Sequence, residues 1–152
     1  MKILIITQSS STGINQSISN DCEAIIIDSF KSIIDSIVID IVNCNQVNST
    51  LINEADKIIM IVPEWNGSFP FMFKEMIDNS GYPSNFADKE ILLIGTSNTT
   101  FGNIIGINHL QYVLSWIGAK VFDKKVYIPN LDRNGYVEQR NRLIDSIIKF
   151  LI

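Results

Sequence analysis

The sequence predicts an α/β domain built on a five-stranded parallel sheet with strand order 2-1-3-4-5. Two observations carry that reading. Apolar segments of strand length alternate with segments of helical period along the whole chain, which is the pattern of a parallel sheet with helical crossovers. No repeat, linker or low-complexity tract interrupts the alternation, and 152 residues with 46% hydrophobic and 18% charged side chains suit one domain, residues 1–152, with a single buried core. Right-handed crossovers leave few topologies, and this strand order brings the loops after strands one, three and four to one crevice.

Each element has a local reason. Strand one runs from about Lys2 to Thr7, and the helix after it carries Ile14, Ile18, Cys22, Ile25, Ile26, Phe30, Ile33 and Ile34 at spacings of three and four. Ile37 to Val42 is β-branched at its apolar positions and makes strand two; Ser49 then caps a short helix through Ala55. Asp56 leads into strand three, Lys57 to Val62, and Pro70 suits the first turn of a helix ending near Asn79. A Gly81-Tyr82-Pro83 turn precedes strand four, Lys89 to Thr96. The next helix spans about Ile107 to Ile117, with Gly118 as its C-terminal stop. Lys120 to Ile128 is strand five, and the helix from about Tyr136 to Leu151 sets Val137, Leu143, Ile144, Ile147, Ile148 and Leu151 on one side.

Composition excludes several classes of function. A net charge of −4 with scattered Lys and Arg leaves no electrostatic footprint for nucleic acid. The apolar opening, Met1 to Ile6, gives way at once to Thr7-Gln8-Ser9-Ser10, too short for a signal segment or a membrane span, so a cytoplasmic location is expected. Cys22 and Cys44 lie far apart with no CxxC and no nearby His, and read as reduced thiols rather than a disulfide or zinc site.

Two loops carry chemistry. Thr7 to Asn15 is a hydroxyl-rich turn feeding a helix, where free N–H groups, the positive end of the helix dipole and the hydroxyls suit a phosphate. It contains neither GxGxxG nor GxxxxGK[ST], and its bland reading is a solvated helix cap. The stretch Pro63-Glu64-Trp65-Asn66-Gly67-Ser68-Phe69-Pro70 joins a buried strand to a helix start. It offers a flat indole, a side-chain amide and a Gly that lets backbone approach, and so suits a planar heteroaromatic ligand. Glu64 reads equally as a residue that pins its loop. His109, the single histidine, reads as a partly exposed helix position. Phe69, Phe71, Met72, Phe73 and Met76 are too dense for one helix face, and the surplus suggests a subunit interface.

Pro63 to Pro70, followed by Lys74 and Ile77-Asp78, resembles the PEYNGSxPGxLKNAID signature of the NADPH-dependent FMN reductase family. Phe101-Gly102 with Leu110, Leu114, Gly118-Ala119 and Val121 resembles that family's stretch from its third flavin loop to strand five. The first loop departs from it: Gln8-Ser9-Ser10-Ser11 stands where the family has Gly-Ser-x-Arg, and Ser10-Ser11-Thr12-Gly13-Ile14-Asn15 is similar to the SSTGNT-type phosphate loop of flavodoxins. Phe71 replaces a family Gly and Asn79 a family Trp, and no LPLYDxD-like insertion separates strands two and three.

The resemblance implies a flavodoxin-like three-layer sandwich that binds FMN. It places Ser9, Ser10, Ser11, Thr12, Gly13 and Asn15 at the phosphate and Pro63, Glu64, Trp65, Asn66, Gly67 and Ser68 around the ring. Backbone N–H groups of the third loop, with Ser97, Asn98, Thr99, Phe101 and Gly102, would face the pyrimidine edge. The implied activity is electron transfer from NADPH or NADH, through FMN, to a small acceptor such as a quinone, azo dye, metal oxyanion or free flavin, in a homodimer or homotetramer with no catalytic side chain. The alternatives are a flavodoxin-like electron carrier and a module of this fold that has lost FMN.

Overall fold

The computed structural model of the protein describes residues 1–8, 38–130 and 135–152, with side chains left aside at 135 and 136. Residues 9–15 of the predicted phosphate loop, the helix carrying Ile14 to Ile34, Cys22, and Ile37 at the start of predicted strand two lie outside the described residues. Within them the order is β1 (Lys2–Thr7), β2 (Val38–Asn43), a 3-10 turn (Cys44–Gln46), α1 (Ser49–Glu54), β3 (Lys57–Pro63), α2 (Phe71–Asp78), β4 (Glu90–Thr96), α3 (Ile104–Trp116), β5 (Lys120–Val121), β6 (Val126–Ile128) and α4 (Gly135–Leu151).

The sheet is parallel in order β2-β1-β3-β4-β5, with β6 also on β4. The predicted order is therefore found, and the predicted fifth strand is corrected to two short ones. β4 advances from Ile91 to Ile94 while the chain opposite runs from Val121 to Val126, two residues more, so pairing lapses between the two stubs. Phe122 N–H still donates to Ile91 O at 2.8 Å, with its ring 5.4 Å from that of Phe150 on α4, and the ladder breaks after it, at Asp123 to Lys125.

Alternation along the strands divides the core into two layers. Leu4, Ile6, Ile58, Met60, Ile91 and Leu93 meet α1, α2 and α3 through Ile52, Phe73, Ile77, Ile107 and Leu114. Ile3, Ile5, Ile59, Ile61, Leu92 and Ile94 meet α4 through Leu143, Ile147 and Phe150. Burial of both faces explains why β3 and β4 are continuous apolar runs.

Three boundaries differ from expectation. Asn48, not Ser49, caps α1, because its Oδ1 accepts the Leu51 N–H at 3.0 Å. The 3-10 turn after β2 is an addition, closed by Asn43 N–H donating to Gln46 Oε1 at 3.0 Å. α3 starts at Ile104 rather than Ile107, since Asn103, at φ 63°, turns the chain directly into the helix. Cys44 is the described thiol; burial pushes its pKa up to about 12, which leaves it an uncharged apolar filler at neutral pH.

Candidate functional site

β3 and β4 end level at Pro63 and Thr96, and β1 ends at Thr7, opposite Ile61 two residues before, so the loops after them share the carboxyl edge of the sheet. The second loop is more ordered than its composition suggests. Trp65 and Ser68 exchange both backbone hydrogen bonds, at 2.9 and 3.0 Å, and Asn66 and Gly67 between them have φ of 51° and 74°. Two successive positive φ values define a type I′ hairpin turn, for which Asn-Gly is the preferred pair. The Asn66-Gly67 pair was the signal for this hairpin in the sequence. Trp65 is half-buried at its base, while Asn66 and Gly67 are exposed at its tip. Among the described residues, neither tip N–H has a backbone acceptor.

Three contacts fix this hairpin. Asn103 is 2% exposed and donates from Nδ2 to the carbonyls of Val62 and Pro63, both at 3.0 Å, gripping the end of β3. Ser68 Oγ meets His109 Nδ1 at 3.1 Å, so the single histidine is a support for the hairpin on an exposed face of α3. Gly106 lets α3 come in close: a Cβ there would lie 2.2 Å from Asn103 Oδ1 and 2.6 Å from both Phe69 N and Ser68 C. Asn103 Oδ1 has no hydrogen-bond partner, and it is the side of the amide that faces this packed corner. Asn103 and Gly106 were missed in the sequence, where each looks like an ordinary helix-start residue.

The third loop is tied to the second through Glu64. Its Oε2 accepts from Ser97 Oγ at 2.5 Å and Thr99 Oγ1 at 3.0 Å, and the two hydroxyls are 2.8 Å apart. Glu64 N–H donates to Thr96 O, Ser97 N–H to Ile128 O and Thr99 N–H to Ser97 Oγ. The backbone donors of Ser97 and Thr99 are thus engaged within the protein, and Glu64 has the pinning role that its position suggested. Asn98 and Phe101 are exposed on this loop, whereas Gly102 is buried, its φ of 58° bringing the chain against Tyr127 and Ile128.

The chemistry of this set fits the ring end of a flavin: a half-buried Trp on a hydrogen-bonded hairpin, exposed N–H donors at its turn, and a second loop alongside it. No group of His, Cys, Asp and Glu among the described residues could hold a metal ion.

Sheet order and the loops at its carboxyl edge define the flavodoxin-like class. Two solved structures share the fold over nearly their whole length. FerB, a flavoenzyme NAD(P)H:(acceptor) oxidoreductase from Paracoccus denitrificans, superposes with a TM-score of 0.70 at 17% identity, over 98% of each chain. A flavodoxin from the domain Archaea gives 0.69 at 16% identity, over 100% of each. Residues 45–132, more than half of the chain, match the NADPH-dependent FMN reductase model, and the chain belongs to that family. Its cofactor and fold are those the Pro63 to Pro70 resemblance implied. A curated relative, 2-hydroxy-1,4-benzoquinone reductase from Burkholderia sp, is 29% identical over 94 residues, which are 57% of this chain and 51% of the relative. The chain thus matches about half the length of that relative.

Proposed function

We propose that residues 1–152 form one FMN-binding domain that passes electrons from NADPH or NADH to a small acceptor of the quinone kind. The observation that carries this reading is the Trp65–Ser68 hairpin locked to the third loop by Glu64, inside the stretch that matches the reductase family. Bound FMN would supply the chemistry, accepting hydride and returning electrons. Pro63, Glu64, Trp65, Asn66, Gly67 and Ser68 would flank its ring, with Trp65 as the stacking surface and the Asn66 and Gly67 N–H groups as donors. Asn98, Phe101 and Gly102 would close the opposite side, with Ser97 and Thr99 holding that loop in place. Ser9, Ser10, Ser11, Thr12, Gly13 and Asn15 are the proposed phosphate ligands, on sequence alone. The reading puts the protein in the cytoplasm, where its nicotinamide donors are kept; among the described residues no helix is long and apolar enough to cross a membrane.

The test is spectroscopic. Titration of the protein with FMN is expected to quench flavin fluorescence at one FMN per chain. Anaerobic NADPH or NADH should then bleach the oxidised flavin band, and a benzoquinone should restore it. Bound FMN that neither nicotinamide reduces would favour the second reading, an electron carrier, which the flavodoxin-type run Ser10 to Asn15 supports.

We further propose that the active form is a homodimer joined across α2 and α3. Phe71, Ile105, Tyr112 and Trp116 are exposed on these helices, Phe71 at 67% and Trp116 at 80%. Tyr112 and Trp116 border a groove of about 430 Å³ beside the Lys74–Asp78 ion pair. Such an apolar strip on two neighbouring helices exceeds the scattered exposure usual of a monomer surface. Sedimentation equilibrium is expected to give a dimer for the wild type and a monomer for Trp116→Glu; a monomeric wild type would exclude the interface.

A further inference from the structure

Glu64 does more than its hydrogen bonds require. One of its carboxylate oxygens collects both loop-three hydroxyls, yet no Lys, Arg or His among the described residues pairs with the charge. A neutral amide oxygen would accept the same two bonds. A half-buried carboxylate between the two loops that would hold a flavin is therefore a fixed negative potential in that site. We propose that Glu64 sets the energy of cofactor reduction, disfavouring the electron-rich reduced form of FMN and so making it a stronger donor to the acceptor. This rests on the FMN reading above.

The overall transfer moves two electrons and one hydrogen from the nicotinamide as hydride, leaving oxidised nicotinamide. A quinone acceptor then takes up two electrons and two protons, the second proton coming from solvent, to give the hydroquinone. Glu64 exchanges no proton and no electron in this sequence. It acts through space on the difference in binding between oxidised and reduced cofactor, and through Ser97 and Thr99 on the shape of the third loop. It is a positioning residue with an electrostatic consequence.

Charge and strap separate by substitution. Glu64→Gln keeps an acceptor for the two hydroxyls and removes the charge. Ser97→Ala keeps the charge and removes the Ser97 hydroxyl's strap to Glu64 together with its contacts to Thr99. The readouts are the dissociation constants of oxidised and reduced FMN, from fluorescence quenching and anaerobic titration, and the midpoint potential by dye equilibration. For Glu64→Gln we expect oxidised FMN to bind within about twofold of wild type and reduced FMN about tenfold more tightly, which raises the two-electron potential by about 30 mV. For Ser97→Ala we expect both forms to loosen by a similar factor and the potential to stay. An unchanged potential in a Glu64→Gln protein that binds FMN would overturn the proposal and leave the FMN reading intact. A wild-type protein that binds no FMN would overturn both.

Discussion

Gly106→Ala is expected to destabilise the protein by about 2 kcal/mol and to weaken FMN binding at least tenfold. The sign is diagnostic, because two known effects oppose each other. In an exposed helix interior, Ala in place of Gly stabilises by roughly 1 kcal/mol. At this position the new methyl would fall within 2.2 Å of Asn103 Oδ1 and 2.6 Å of the Ser68–Phe69 backbone. Overpacking of that kind costs about 1–3 kcal/mol, toward the top of the range where the obstacle is backbone rather than a pliable side chain. The second effect wins only if α3 truly bears on the hairpin. Urea denaturation of the two proteins decides it: a more stable variant would show that α3 and the Trp65 hairpin are not in contact as described.

Asn103→Ala should cost a comparable amount for different reasons. Asn103 is buried, satisfies the carbonyls of Val62 and Pro63, and holds φ at 63°. Loss of the amide leaves two carbonyls at the end of β3 short of a donor, and an alanine tolerates the left-handed backbone poorly. Together these come to about 2–4 kcal/mol. Asn103→Gly separates them, since it relieves the backbone but restores neither bond; it should recover roughly 1 kcal/mol of the loss. Equal stability of the Ala and Gly variants would place the whole effect in the hydrogen bonds. An Asn103→Ala protein within about 0.5 kcal/mol of wild type, the scatter of neutral surface changes, would show that the amide does not anchor the second loop.

These two residues mark where reading the sequence stops. Strands one, three and four were legible because burial on both faces writes an unbroken apolar run, and Lys57 to Val62 admits few other readings. Crossover handedness narrows the sheet order to a few, and the one that brings the loops after strands one, three and four to one crevice is the one found. The hairpin is legible in principle from Asn66-Gly67, but its strands are one residue long on each side, too short to write a strand pattern around the turn. Asn103 and Gly106 carried no signal: their roles are contacts with residues about 40 positions away, and neither hydropathy nor propensity encodes such a contact. The break in the fifth strand, by contrast, has a signal in the sequence: Asp123-Lys124-Lys125 are residues that strands disfavour, set between apolar and aromatic runs, and pairing lapses there, between Val121 and Val126.

That interruption bears on how the molecule meets others. An outer strand with a full row of unpaired amides is a template on which a foreign strand can zip. Here the outer position on β4 consists of one two-residue stub and one three-residue stub, with Lys124 and Lys125 in the gap between them. No incoming strand finds more than a few consecutive partners, and the lysines charge the approach. On this side the sheet offers no long edge for extension into a larger one, which agrees with the helix-mediated, self-limiting pairing proposed above. For the small-molecule chemistry proposed above, a flank that resists polymerisation leaves the carboxyl edge of the sheet accessible.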